Sequence, residues 1–223
     1  MLVFFIPAVI IVFFPDLWAA LSVKTRFSSV LAPQLYHVPV QKEIASLADN
    51  AKRPFSYKNF SFSVPWQDKS DTKNSNGILQ MSFASGKSFF VKEGDNTFIA
   101  YLAKTQLGQN IQKRYHKNFT NDFEYYKTIL YATPASITFS TSHQDLKIDL
   151  DLLQLKSQLI DEVKGEYIFF HTKSVKGFWS SPAKGVDTII IELFPADGTH
   201  YTMSTKKMTQ EEIIFFVSSI KFP

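Results

Sequence analysis

Five histidines are the first place to look for chemistry in this 223-residue chain: His37, His116, His143, His171 and His200. None stands at metal-ligand spacing from another. His143 lies two residues before Asp145, a pair that can share a proton or a metal once a third group orients it. His171 and Glu192 fall in two strand-like segments and meet if those strands are neighbours, although cross-strand polar pairs are ordinary on a solvated face. A hydrolase-type polar cleft near His143/Asp145 or near His171/Glu192 is the enzymatic reading. Against it, the chain has no Gly-x-Ser-x-Gly elbow, no phosphate-binding glycine loop and no His-Glu-x-x-His helix. Its eight glycines are scattered. No residue is assigned a catalytic, cofactor-binding or metal-binding role, and no cofactor is expected.

The densest basic cluster is "QKRYHK", Gln112 to Lys117. Lys113, Arg114 and Lys117, with Tyr115 interleaved, form a candidate site for anionic surfaces, and lysines near anionic headgroups contribute about 1 kcal/mol each. The plain alternative is a solvated surface.

Composition narrows the classes further. Charged residues make up 20% and apolar residues 45%, which places the chain among globular rather than disordered proteins. Aromatics reach 15%, with 22 Phe, a load suited to sheets and helices packed face to face. Without cysteine, thiol catalysis and disulfides are excluded. The net charge of +4 is far below that of a dedicated nucleic-acid binder, so no nucleic-acid partner is expected.

Three readings compete for the opening stretch "MLVFFIPAVIIVFFPDLWAALSV". As a helix, residues 2–23 would be roughly 33 Å long at about 1.5 Å per residue, enough for a single-pass anchor. Asp16 is costly at membrane depth, while Trp18 suits an interface. The rivals are a cleaved signal ending near Ala20-Leu21-Ser22 and a buried helix of the fold. Hydrophobic length favours the anchor, with the remaining domain placed outside the cytoplasm. Lys24 and Arg26 argue the other way by the positive-inside rule.

Residues 24–54 read as a linker in which "VPVQKEIASLADNAK" forms a short helix. "NFSFSVPW" alternates as a strand, and "QDKSDTKNSNG" reads as a loop because it lacks apolar side chains. "ILQMSFA" and "KSFFVKE" flank Ser85-Gly86 as a hairpin. A helix follows at "NDFEYYKTILYATP"; in "SHQDLKIDLDLLQLKSQLIDEV" Leu146, Ile148, Leu150 and Leu152 alternate as in a strand, but its length and the Ser142/Asp145 start favour a helix. "EYIFFHT", "DTIIIELF" and "HYTMST" read as strands, with Pro195-Ala-Asp-Gly198 as a turn. Thr209 and Glu212 make a capping box for a closing helix.

The expected fold class is therefore α+β: an antiparallel sheet flanked by helices, α/β/α sandwich-like, over residues 55–223 and preceded by a transmembrane helix at 1–23.

The Phe-rich strand running into "FSVPW" (Phe62 to Trp66) is one mark of a family. "KGFW" (Lys176 to Trp179), the hairpin around Asp197-Gly198, and the final helix from "TQEEI" to "SSIKF" are the others. Together they resemble the PsbP-like or Mog-like sandwich of photosystem extrinsic proteins, Ran-binding proteins and bacterial exported proteins. The resemblance implies a non-enzymatic binding or assembly module, fixes no partner and transfers no functional residue; together with the opening anchor, the expectation is a membrane-tethered module of unknown protein partner.

Overall fold

The computed structural model describes residues 15–28, 32–45, 54–94, 102, 104–115, 119, 122–138, 141–163, 167–180 and 187–223. The chain divides into two units, each assembled from separated stretches.

The sheet unit comprises residues 39–98, 121–123 and 163–223. Its strands are β1 (Val40–Glu43), β2 (Phe55–Tyr57), β3 (Phe60–Phe62), β4 (Lys69–Ser75), β5 (Ile78–Phe83), β6 (Ser88–Glu93), β7 (Tyr167–His171), β8 (Val175–Ser180), β9 (Thr188–Pro195) and β10 (Tyr201–Lys206). Eight of them form one sheet in the order β1-β7-β8-β9-β10-β6-β5-β4, while β2 and β3 pair separately. Every neighbour pair in the large sheet is antiparallel except β1–β7, so the sheet is mixed rather than purely antiparallel.

One sheet face is apolar because side chains alternate with period two. Leu79, Met81, Phe89, Val91, Ile191, Met203 and Trp179 are buried there. They pack in one core with the last helix of the chain (Gln210–Ser219) and the β2–β3 hairpin. Phe62 meets Phe89 and Phe216 with ring centroids 5.5 and 5.3 Å apart. The Thr209/Glu212 capping box starts that helix as the sequence anticipates. Glu212 also accepts from the Trp66 indole at 2.6 Å and pairs with Lys87, tying the helix start to the β5–β6 turn. In the helix's last turn, Ser219 Oγ accepts from the Ser63 N–H at 2.8 Å.

The helical unit comprises residues 1–38, 99–120 and 124–162. Helices are numbered in chain order: α1 (Pro15–Arg26), α2 (Gln106–Arg114), α3 (Asp122–Tyr131, whose first two residues belong to the sheet unit), α4 (His143–Val163) and α5, the closing helix (Gln210–Ser219). Leu146, Leu152 and Leu153 of α4 join Ile111, Tyr125 and Ile129 in a second core. Ser142 Oγ accepts from the Asp145 N–H at 3.2 Å, the N-terminal cap expected for α4.

The transmembrane expectation is overturned. Helix α1 as described, Pro15–Arg26, has 12 residues, roughly 18 Å at about 1.5 Å per residue, well short of a hydrocarbon core of about 30 Å. Its Ala20 and Val23 are buried among the side chains of the helical core. Among the described residues, no helix is long and apolar enough to cross a membrane. The rest of the opening stretch, residues 1–14, lies outside the described residues.

Two local expectations also fail. Val40–Glu43, read as part of a short helix, is a strand parallel to β7, and Ile44 just beyond it is buried in the sheet core. The remainder of that helix expectation falls in residues 46–53, outside the described set. The polar run from Gln67 to Gly77, read as a loop, contains β4, hairpinned to β5. Its turn is Asn76-Gly77, with both residues at positive φ, 52° and 72°, the geometry that matches strand twist in a two-residue hairpin.

Candidate functional site

Of the two histidine–acid pairs read from the sequence, strand order separates His171 from Glu192, while His143 and Asp145 lie two residues apart at the start of α4. His143 is the exposed first residue of α4, and Asp145 is engaged by Arg114 Nη1 at 3.0 Å. His171 and Glu192 are not on neighbouring strands, because β8 lies between β7 and β9. His171 instead faces Glu43 at 3.8 Å on exposed edge strand β1.

The basic cluster is also reorganised. Arg114 directs Nε and Nη2 to the two carboxylate oxygens of Asp149 at 3.2 and 2.9 Å. This bidentate clamp on a buried acid joins α2 to α4, so Arg114 is a structural tie rather than a cation offered to a surface. Burial raises the Asp149 pKa and the Arg114 charge opposes that shift. Lys113 is exposed, and Lys117 lies outside the described residues.

A different titratable cluster lies in the sheet unit. Glu192 on β9 is the direct cross-strand partner of Thr202 on β10, and His200 immediately precedes that strand. His200 Nε2 lies 2.7 Å from Glu192 Oε2, and the Thr202 hydroxyl donates to the same oxygen at 2.8 Å. The Phe194 ring stacks on the imidazole at 4.6 Å with planes 5° apart. From the other side the Gly94 backbone closes in: its N–H donates to the His200 carbonyl at 2.7 Å. A Cβ at Gly94 would stand 2.4 Å from Nδ1.

Asp122, at the start of α3, completes the group. Its Oδ2 is buried with no hydrogen-bond partner among the described residues. Burial pushes the Asp122 carboxyl upward, and charge on His200 opposes the shift. The neighbouring Phe123 ring packs edge-on against Phe169 at 5.6 Å and tilts against Phe194 at 5.5 Å. His200 and Glu192 are both buried, 6% and 9% exposed. Among the described residues, no group of three or more His, Asp or Glu side chains is placed to hold a metal ion.

Beyond this cluster the same sheet face changes character. On β7–β9 it carries the rings of Phe169, Phe178 and Phe194, two of them packed by Phe123; on β10, β6, β5 and β4 it is mostly polar and half-buried or exposed. Strand register places the open face in three rows. The middle row runs Ser204, Phe90, Gln80, Lys73. Above it lie Thr202, Lys92, Ile78 and Ser75, and below it Lys206, Ser88, Ser82 and Asp71. Phe90 is 41% exposed at the centre and Ile78 40% exposed beside it. Sequence reading missed this surface because β4 looked like a loop; the Asn76-Gly77 turn was the available signal.

No protein-family model matches the chain, and a search of curated proteins finds no match.

Proposed function

We propose that the protein is a non-enzymatic binding or assembly module that presents the open face of β10, β6, β5 and β4 to its partner. One observation carries this reading: Phe90 stands exposed at the centre of a polar sheet face. Of the candidate catalytic groups, Asp145 is taken by Arg114, His171 faces Glu43, and Glu192 is held by His200 and Thr202. Phe90 and the diagonal Ile78 give this face a small exposed apolar patch, and contiguous apolar surface rimmed by polar groups marks interaction sites. The resemblance to sandwich-type binding modules implies the same class.

The test is a panel of chromogenic ester, phosphoester and amide substrates, run on the native chain and on Glu192→Gln and Asp122→Asn. The expected result is no turnover that depends on either residue. A specific turnover abolished by either folded variant overturns the reading.

A further inference from the structure

The open face has a charge pattern that the whole-chain balance conceals. Lys92 is two residues along β6 from Phe90, about 7 Å away on the same face. Lys206 is diagonal to it across the β6–β10 pair, about 8 Å away. Lys73 lies two strands over, in the same row as Phe90, about 10 Å away. Three ammonium-bearing side chains therefore stand around one exposed phenyl ring. Asp71, in a corner of the face, is its only exposed acid among the described residues and lies 3.4 Å from Lys73. No ion pair engages Lys92 or Lys206 among the described residues. Gln80, Ser82, Ser88, Thr202 and Ser204 fill the floor between the lysines with neutral hydrogen-bonding groups.

Resting on the binding-module reading, we propose that this face binds single-stranded nucleic acid. A base stacks on Phe90, and flanking phosphates meet Lys92, Lys206 and Lys73. The chemistry that favours this occupant is the combination of an exposed ring with cations on several sides. Stacking platforms for single strands pair an aromatic side chain with a basic track, and they tolerate sequence because every base has a π-face. An acidic polypeptide would answer the lysines but would leave the central ring unexplained. A duplex offers no free base to stack on it. The modest net charge of +4 fits a local site rather than a binder that is basic throughout.

The experiment is fluorescence anisotropy with a fluorescein-labelled twelve-nucleotide oligothymidylate and the full chain. It is run from 50 to 300 mM salt, with poly-L-glutamate and a duplex of equal charge as competitors. The native chain is expected to bind, with affinity falling linearly in log–log against salt. Lys92→Gln and Lys206→Gln should each lower the slope by about 0.7. Phe90→Ala should weaken binding by roughly 5- to 100-fold without changing the melting temperature, and Phe90→Trp should restore it. The assignment is overturned by absence of binding at 50 mM salt, by native affinity in Phe90→Ala, or by displacement with poly-L-glutamate charge for charge. Those failures leave the binding-module reading standing, since that reading is decided by turnover in the Glu192 and Asp122 variants.

Discussion

His200 Nε2 and Glu192 Oε2 lie 2.7 Å apart across the β9–β10 hairpin, both nearly closed to solvent. Removing one partner of a buried pair strands the other charge, which costs more than the pair contributes. His200→Ala is expected to destabilise the fold by about 3–5 kcal/mol in urea denaturation. Replacing both residues, as in His200→Phe with Glu192→Leu, should cost clearly less than the single change. A double variant weaker than His200→Ala would show that the pair is not the source of the loss.

Gly94 is tied to the same imidazole. Its added Cβ would meet His200 Nδ1 at 2.4 Å, against a ring already stacked on Phe194. Gly94→Ala should therefore displace the ring and cost on the order of 1–3 kcal/mol, as overpacking does. In the His200→Ala background the same change should be close to neutral, because the clashing group is gone. The measurement is the coupling energy of the double-mutant cycle.

Lys156 of α4 is 1% exposed and sends its ammonium to the carbonyls of Leu35, His37 and Ala132 at 2.9, 2.7 and 2.7 Å. Burial pushes its pKa down from 10.5 to about 8. Between those two values the unfolded chain holds a proton that the folded protein has released, so stability rises with pH across that window. Below about pH 8 the contribution is constant. The stability of the native chain relative to Lys156→Met should grow by roughly 3 kcal/mol from pH 8 to 10.5. A difference that stays flat or falls over that range would refute the assignment.

Adjacent cations in α2 should behave oppositely. Arg114→Ala frees the buried Asp149 carboxylate and is expected to cost about 3 kcal/mol. Lys113→Ala, on the exposed side, should stay within about 0.5 kcal/mol. Thermal denaturation of the two variants side by side separates the structural cation from the solvated one.

Gly177 on β8 has no room for a methyl group. A Cβ would stand 2.2 Å from the Glu192 carbonyl oxygen and 2.6 Å from the Phe170 ring. Gly177→Ala is expected to reduce soluble folded yield and to cost more than 3 kcal/mol, since backbone must move on β9. A melting temperature equal to native would contradict the tight approach.

Elements with a local signature were readable in the sequence. The Thr209/Glu212 box, the Ser142 start of α4 and the Pro195–Gly198 turn are decided by residues within a few positions of each other. Elements decided at long range were not. Strand β4 has no apolar side chain because it is an edge strand with all seven residues exposed, and period-two hydrophobicity cannot reveal such a strand. Strand β1 is recognised only through β7, its partner far along the chain. Helix α1 looked like part of a membrane span because apolar length is ambiguous between lipid and a protein core; burial of Ala20 and Val23 resolves it. The Glu192 partner was sought on the wrong strand. Counting back from the Pro195–Gly198 turn pairs Leu193 with Tyr201 and hence Glu192 with Thr202, which sets Glu192 beside His200 rather than His171.

The one parallel pairing has a consequence for how the molecule is made. Val40 is in register with Ile168, so β1 leaves the ribosome well over a hundred residues before its partner exists. Its exposed valine and unpaired backbone must wait through the synthesis of β2 to β6 and of helices α2 to α4, at about 5–20 residues per second. The strand that closes this edge of the sheet is thus made early and seated late, and a nascent chain paused before β7 carries it open.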